Sequence, residues 1–362
     1  MSTVFIHVGL PKTGTTYLQG RLWRNRDHAM AQGLLYPGRR IDDHFHAAAH
    51  LQPERYLDWA APEHAGAWPA MIAQMRSWTG RSVVSHELFA NAGPEHVRRL
   101  VDDLSFANVH VILTVRDLGR QVPSVWQENV KNQRRATLDE FVDSIDSDDG
   151  EEPFWEFQDY VRIAADWASV VGPDHVHVVT VPAKGASTPG DGLWERFLAV
   201  LSVDPAALPA RAAGDNSSLS AAQTEFLRNL NTRLQPDDVA WHRYERLVKN
   251  VLISEVMLAI DGGEPIGLGP DQQEWAVSRS KRMVDALLEG GYRVYGGLDD
   301  LLVTVGDDAA VPVTRDEAFE SALDAIAQWV KTSEIVDPPI RFKTRVGNVV
   351  RAVRRRALAL KR

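Results

Sequence analysis

The strongest constraint on this chain lies at its start. The β-branched run Thr3 to Val8 ends at Gly9, and a helical pattern then runs from about Gly14 to Met30. A strand, a glycine-bounded loop and a helix in that order commit the chain to an architecture in which helices pack on a sheet. The alternation recurs with a strand at Ser82–Ser85, a helix opened by Gly93-Pro94, a strand at Val109–Val115 and a helix from about Leu118. A fourth unit follows, with a strand at His175–Val181, a Gly/Pro-rich turn and a helix over Leu193–Leu201. Unbroken apolar runs such as VHVILTV suit strands buried on both faces of a parallel sheet. The expected fold class is therefore α/β: a three-layer, P-loop-like fold with a central parallel sheet and a mostly helical C-terminal region.

The helical part is expected near 218–235, 238–260, 271–290 and 315–332, with turns at Gly262-Gly263 and Gly296-Gly297. Residues 1–205 read as the α/β core, 206–335 as a helical continuation of the same domain, and 336–362 as a basic amphipathic tail helix. The acidic stretch Asp139 to Glu152 reads as a solvated loop or insertion. In the tail, Val346, Val349, Val350, Val353, Ala357 and Leu360 share one helical face, and Arg341 to Arg362 contains no acidic residue. That face offers either packing on the body or peripheral contact with an anionic membrane.

A formal charge of −9 over 362 residues argues against bulk electrostatic binding of nucleic acid, so an anionic ligand needs a local site. The chain has no cysteine, which excludes disulfides and zinc-thiolate sites. It shows neither a signal-peptide pattern nor a long apolar span. These features read as a cytoplasmic protein, with the tail available to the inner membrane face.

In Gly9-Leu-Pro-Lys-Thr-Gly-Thr-Thr-Tyr-Leu-Gln19, Gly9 and Gly14 keep the spacing of a nucleotide triphosphatase loop. Thr15, however, stands where that loop carries its lysine, and Lys12 sits forward within the loop. Backbone N–H groups at the helix start, the helix dipole and the hydroxyls of Thr13, Thr15 and Thr16 still favour an anion. A mid-loop lysine approaches that anion from its leaving-group side. The missing lysine makes ordinary ATP or GTP hydrolysis a poor reading.

PKTGTTYLQ resembles the 5′-phosphosulfate-binding loop of sulfotransferases that use 3′-phosphoadenosine-5′-phosphosulfate (PAPS). Members of that family also carry an arginine at the end of a later strand and a serine eight residues on, both binding the nucleotide 3′-phosphate. Here Arg116 follows the VHVILTV strand, and Ser124 lies in the ensuing helix. Arginine suits the task because it presents a charged fork of donors. The resemblance covers roughly Thr3 to Val200, with strong motifs at 9–19 and 114–124. It implies PAPS as co-substrate, PAP as product, no metal, and a donor site of Pro11, Lys12, Thr13, Gly14, Thr15, Thr16, Arg116 and Ser124. The chain lacks the C-terminal Lys-Gly-rich loop of the aryl and steroid enzymes, which leaves the adenine contacts unassigned and favours the bacterial, carbohydrate- or lipid-directed type.

Sulfuryl transfer needs a group that takes the acceptor's proton and one that stabilises the departing phosphate. The resemblance gives the second role to Lys12. For the first, His86 and Glu87 both arrive at the C-terminal end of the Ser82–Ser85 strand, the edge where open α/β sheets bind ligands. The family uses either residue type; the Ser-x-Glu form favours Glu87. The expected acceptor is a hydroxyl, less readily an amine, of a glycan, glycolipid or secondary metabolite. Phe154, Trp155 and Phe157 read first as a core cluster at a helix start and second as the lining of its cleft or a lid. His46 and His50 are four apart, but HAAAH lacks the glutamate of HExxH, so packing or an acceptor-site role for His46 is preferred to a metal. Two other readings of the chain are an atypical P-loop kinase and a non-catalytic nucleotide-binding scaffold at a membrane.

Overall fold

A computed structural model describes residues 2–56, 58–147, 153–185, 190–211, 218–306 and 312–333. Six parallel strands form one sheet: β1 (Ser2–Gly9), β2 (Leu34–Leu35), β3 (Arg81–Ser85), β4 (Ala107–Val115), β5 (Val176–Thr180) and β6 (Arg293–Tyr295), in the order β2-β3-β1-β4-β5-β6. Side chains alternate across each strand, and the core divides accordingly. Val4, Ile6 and Val8 of β1 and Val109, Val111, Leu113 and Val115 of β4 pack into one apolar cluster. Phe5 and Ile112 face a second cluster with Leu18, Leu22, Trp194 and Phe197. Helices therefore cover both faces, and the fold is a three-layer α/β sandwich. Leu219, Tyr244, Met257, Leu287 and Ala325 belong to the same cluster as Val4, so the later helices share the core of the sheet.

From β1 the chain runs to β2 and β3 on one side of the sheet, and from β4 it runs to β5 and β6 on the other. The crevice beyond the C-terminal ends of β1 and β4 is thus the topological switch point of the sheet, the general ligand position of such folds. The loop after Gly9 and Arg116 after Val115 both open there.

Four elements differ from the sequence reading. The helix expected over 14–30 breaks into Thr15–Arg24 and Arg26–Ala31. The buried Asn25 side chain donates to the Arg21 and Ala210 carbonyls at 2.8 Å and accepts from Ala210 N, so it anchors a distant segment at the break. The acidic stretch is a helix over Leu138–Asp146, started by a reciprocal cap between Thr137 and Glu140 and burying Phe141, Val142 and Ile145. Its charges occupy only the outer face, so composition concealed an amphipathic helix. The expected helix over 238–260 comprises an α-turn at Trp241–Tyr244 and a π-wound segment, Glu245–Val256. Ahead of the glycine turn at 296–297, Arg293–Tyr295 adds an edge strand to β5, too short to leave a periodicity. Residues 148–152 and the tail at 336–362 lie outside the described residues. Among the described residues no helix is long and apolar enough to cross a membrane.

Candidate functional site

The loop owes its shape to both glycines and to a lysine in an unfavourable conformation. A Cβ on Gly9 would stand 2.3 Å from Thr15 Oγ1, and one on Gly14, whose φ is +89°, would stand 2.6 Å from Leu193 Cδ2. Lys12 itself has φ +70°, a region that side-chain-bearing residues rarely adopt. The resulting turn sends the Thr13 side chain downward. Its hydroxyl donates to the Leu10 carbonyl at 2.6 Å and lies 2.8 Å from Thr114 Oγ1. Thr13 is therefore buried beneath the loop and holds its shape, while Pro11, Lys12, Gly14, Thr15 and Thr16 line the cavity above.

Below Thr13 a buried polar chain crosses three strands. His7 on β1 lies 2.7 Å from Ser85 Oγ on β3 through Nδ1 and 3.2 Å from Thr114 Oγ1 on β4 through Nε2. Gln19, from the first helix, donates to the Ser85 carbonyl at 2.9 Å. Burial lowers the His7 pKa to about 3, so the ring is neutral and can donate through one nitrogen and accept through the other.

The loop's carbonyls are held from the side. Gln121 donates to Pro11 O at 2.6 Å, and Arg116 donates to Lys12 O at 3.2 Å. The helix Thr15–Arg24 begins without a side-chain cap, which leaves its first-turn amides for a ligand.

Arg116, Ser124 and Glu87 line the same cavity of about 800 Å³ as the loop. On one side Arg116 and Ser124 open into a further cavity of about 450 Å³, walled by Arg120, Gln127 and Lys184. On the other side Lys12, Glu87, Glu128 and Trp59 are shared with a cavity of about 860 Å³ that Tyr56, Phe154 and Phe157 line. Lys12, Glu87 and Glu128 thus stand at the boundary between a basic chamber and an aromatic one. Trp155 is elsewhere: its Nε1 donates to Ile145 O at 2.7 Å and Arg279 lies over its ring.

Sequence reasoning missed the carboxylate at the centre. Glu128 Oε2 accepts from Lys12 Nζ at 3.1 Å, and its Oε1 lies 3.5 Å from Lys249 Nζ. Burial pushes the Glu128 carboxyl up, but Lys12, Lys131 and Lys249 outweigh it and hold the group below the usual range. Lys131 is held below the ordinary lysine value, first by burial and then by Lys12 and Lys249, against the pull of Glu128. Three ammonium groups thus surround one carboxylate, a set with surplus positive charge. A signal existed for two members, because Ser124, Glu128 and Lys131 follow one another at helical spacing along Leu118–Lys131. None existed for Lys249, which the π-wound segment brings in and which donates to Asn132 Oδ1 at 2.6 Å.

The two candidate bases diverge. Burial raises the Glu87 pKa, Lys12 opposes the shift and Glu128 reinforces it, and the carboxyl faces both chambers. His86 caps the short helix Glu87–Asn91, its Nδ1 accepting from Leu88 N at 3.1 Å; it packs on Phe45 and is not itself a lining residue of either cavity. Burial lowers its pKa to about 3.

The histidines of the HAAAH region also serve packing. His44 stacks on Tyr36 and bonds Pro37 O at 2.9 Å, His46 stacks on His64, and His50 reaches Ala61 O at 3.2 Å. Among the described residues no group of three or more His, Asp or Glu converges as a metal site would require. The chain matches no family model, no curated protein and no solved structure with which it was compared.

Proposed function

We propose that the protein transfers a sulfuryl group from PAPS to a hydroxyl, less readily an amine, of an acceptor held in the aromatic chamber. The observation that carries this reading is the meeting of Lys12, Gly14, Arg116 and Ser124 on one cavity wall, with Glu87 at its junction with the second chamber. The donor set fits a molecule with two anionic ends. The first-turn amides and Lys12 suit the phosphosulfate, and Arg116 with Ser124 suits the 3′-phosphate. The glycine cradle leaves no room for a Cβ below it.

Bound PAPS supplies a sulfuryl group on a phosphate leaving oxygen. Glu87 takes the proton of the acceptor hydroxyl as the new O–S bond forms, and its raised pKa makes it a stronger base than an exposed glutamate. Lys12 balances the charge left on the phosphate oxygen as the old S–O bond breaks. In the ligand-free protein Glu128 holds Lys12, so donor binding competes with that ion pair. Trp59 and Phe157 offer flat apolar faces to the acceptor.

The test has two arms. PAP should raise the melting temperature without magnesium, whereas ATP should do so less, and labelled PAPS should deliver its label to a component of a cell extract. Stabilisation by Mg-ATP and not by PAP would make the protein a kinase-like enzyme instead. PAP binding with no transfer to any acceptor would leave a nucleotide-binding scaffold.

A further inference from the structure

Past Arg116 and Ser124 the donor cavity opens into the side cavity of about 450 Å³, and the two differ in charge. Glu87, Glu128 and Glu245 all line the larger one. The smaller one has Arg116, Arg120 and Lys184 on its walls and, among its described lining residues, no Asp or Glu. The most negative part of a ligand that spans both therefore belongs in the smaller cavity. Its walls are fixed by the protein itself. Gln127 donates to Leu219 O at 2.9 Å and accepts from Leu219 N at 3.3 Å, which pins the stretch 218–220. Gly263, at φ +94°, packs so closely on Ser220 that a Cβ would stand 2.7 Å from the Ser220 Cβ.

Arg120 stands one helical turn before Ser124, on the same face of Leu118–Lys131. Asp117, buried at the start of that helix, accepts from Arg120 N at 2.9 Å through Oδ1 and from Arg120 Nε through Oδ2. The guanidinium is thus anchored along one edge. Its Nη2 is buried without a hydrogen-bond partner among the described residues. A charged donor left unmet inside a protein is costly, and an acceptor oxygen on a ligand would satisfy it. Arg116 has less to give, because its Nη1 already donates to Lys12 O at 3.2 Å. A phosphate monoester brings several acceptor oxygens and more than one negative charge, which Arg116 and Ser124 by themselves underfill.

On the reading of the ligand as PAPS given above, we propose that Arg120, oriented by Asp117, joins Arg116 and Ser124 on the 3′-phosphate and makes that phosphate the feature by which the protein selects its nucleotide. Arg120 is then a specificity-determining residue and Asp117 a positioning one. Adenosine 5′-phosphosulfate, which lacks the 3′-phosphate, would leave the Arg120 donor unmet and bind poorly for that reason.

PAP and 5′-AMP differ only in the 3′-phosphate, so calorimetry of the full chain with each isolates the contact. The unmodified protein should bind PAP about tenfold or more tightly than AMP. Arg120→Gln should weaken PAP about 10- to 100-fold, the worth of a hydrogen bond to a charged group, while AMP changes by less than about twofold. Retained AMP binding also shows that the variant is folded. Arg120→Lys should recover part of the loss, because it keeps the charge without the fork of donors. Asp117→Asn preserves the helix cap and should lower PAP affinity several-fold, again with AMP unchanged. PAP bound by Arg120→Gln as tightly as by the unmodified protein, or PAP and AMP lost in equal measure, would overturn the role of Arg120 and leave the donor reading standing. So would an unmodified protein that binds both nucleotides equally well. An unmodified protein that binds neither would overturn the donor reading, and the role of Arg120 with it.

Discussion

The two chambers on either side of Lys12 are built differently. The loop side rests on strand ends and on a buried polar chain through His7, Ser85, Thr114 and Thr13. The aromatic side is assembled from helices and connections, with Trp59, Arg134 and the short helix Phe154–Gln158, which carries Phe154 and Phe157, coming from separate segments. One half is a strand–loop–helix turn suited to an anion; the other is a meeting of segments far apart in the chain. The chemistry proposed for the protein falls on the line between them.

That contrast is broken most severely by removing the group that belongs to both halves. Glu87→Gln should cut turnover roughly 10²- to 10⁴-fold while leaving the melting shift with PAP intact. In the unmodified protein activity should fall as acid protonates Glu87, with the acid limb above the ordinary glutamate range because burial raises its pKa. Lys12→Ala should lower kcat roughly 10²- to 10³-fold in single-turnover assays, the scale for losing one donor at a developing charge. Equal loss of PAP binding in either variant would show that the halves are not separable.

Arg116→Ala sharpens the comparison from the loop side alone. It should weaken PAP about 10- to 100-fold in calorimetry, the worth of one hydrogen bond to a charged group, with an unchanged acceptor KM. His7→Ala should cost about 1–3 kcal/mol in denaturant melts, since it removes one buried hydrogen-bond partner from hydroxyls on two strands. His7 also sets a pH trend, because its pKa is about 3 in the folded chain and near 6.5 when unfolded. The unfolded state binds the proton more readily, so the stability this group contributes is complete above pH 6.5 and is lost progressively as pH falls toward 3. The smallest effect belongs to the aromatic side, where Phe157→Ala should raise acceptor KM a few-fold and leave PAP affinity alone.

The same division governs what could be read from the sequence. Gly9, Lys12, Gly14, Arg116 and Ser124 were legible because a loop between strand and helix has few solutions, and because a strand end fixes where an arginine arrives. Glu87 and His86 were both legible as residues arriving at a strand end, with the Ser-x-Glu form favouring Glu87, and the structure adds that His86 caps the short helix. Glu128 and Lys131 were available in the helical spacing from Ser124. Lys249 was not, because its approach depends on a π-wound segment with no local sequence signature; of the aromatic chamber, Phe154 and Phe157 could be singled out, but not their meeting with Tyr56 and Trp59, which depends on tertiary packing. Thr13 misled because its neighbours line the cavity: the positive φ at Lys12 reverses the pattern for one residue.

The polar chain below the loop has a consequence in time as well as in space. By tying β3, β1 and β4 together beneath Thr13, it couples opening of the loop to separation of the central strands. Amide protons of residues 10–14 held in internal hydrogen bonds should exchange on the timescale of the sheet, not on that of a surface turn. A nucleotide arriving at such a platform meets a surface already in place, so association should be a single fast phase, and slow steps, where they occur, belong to the aromatic chamber.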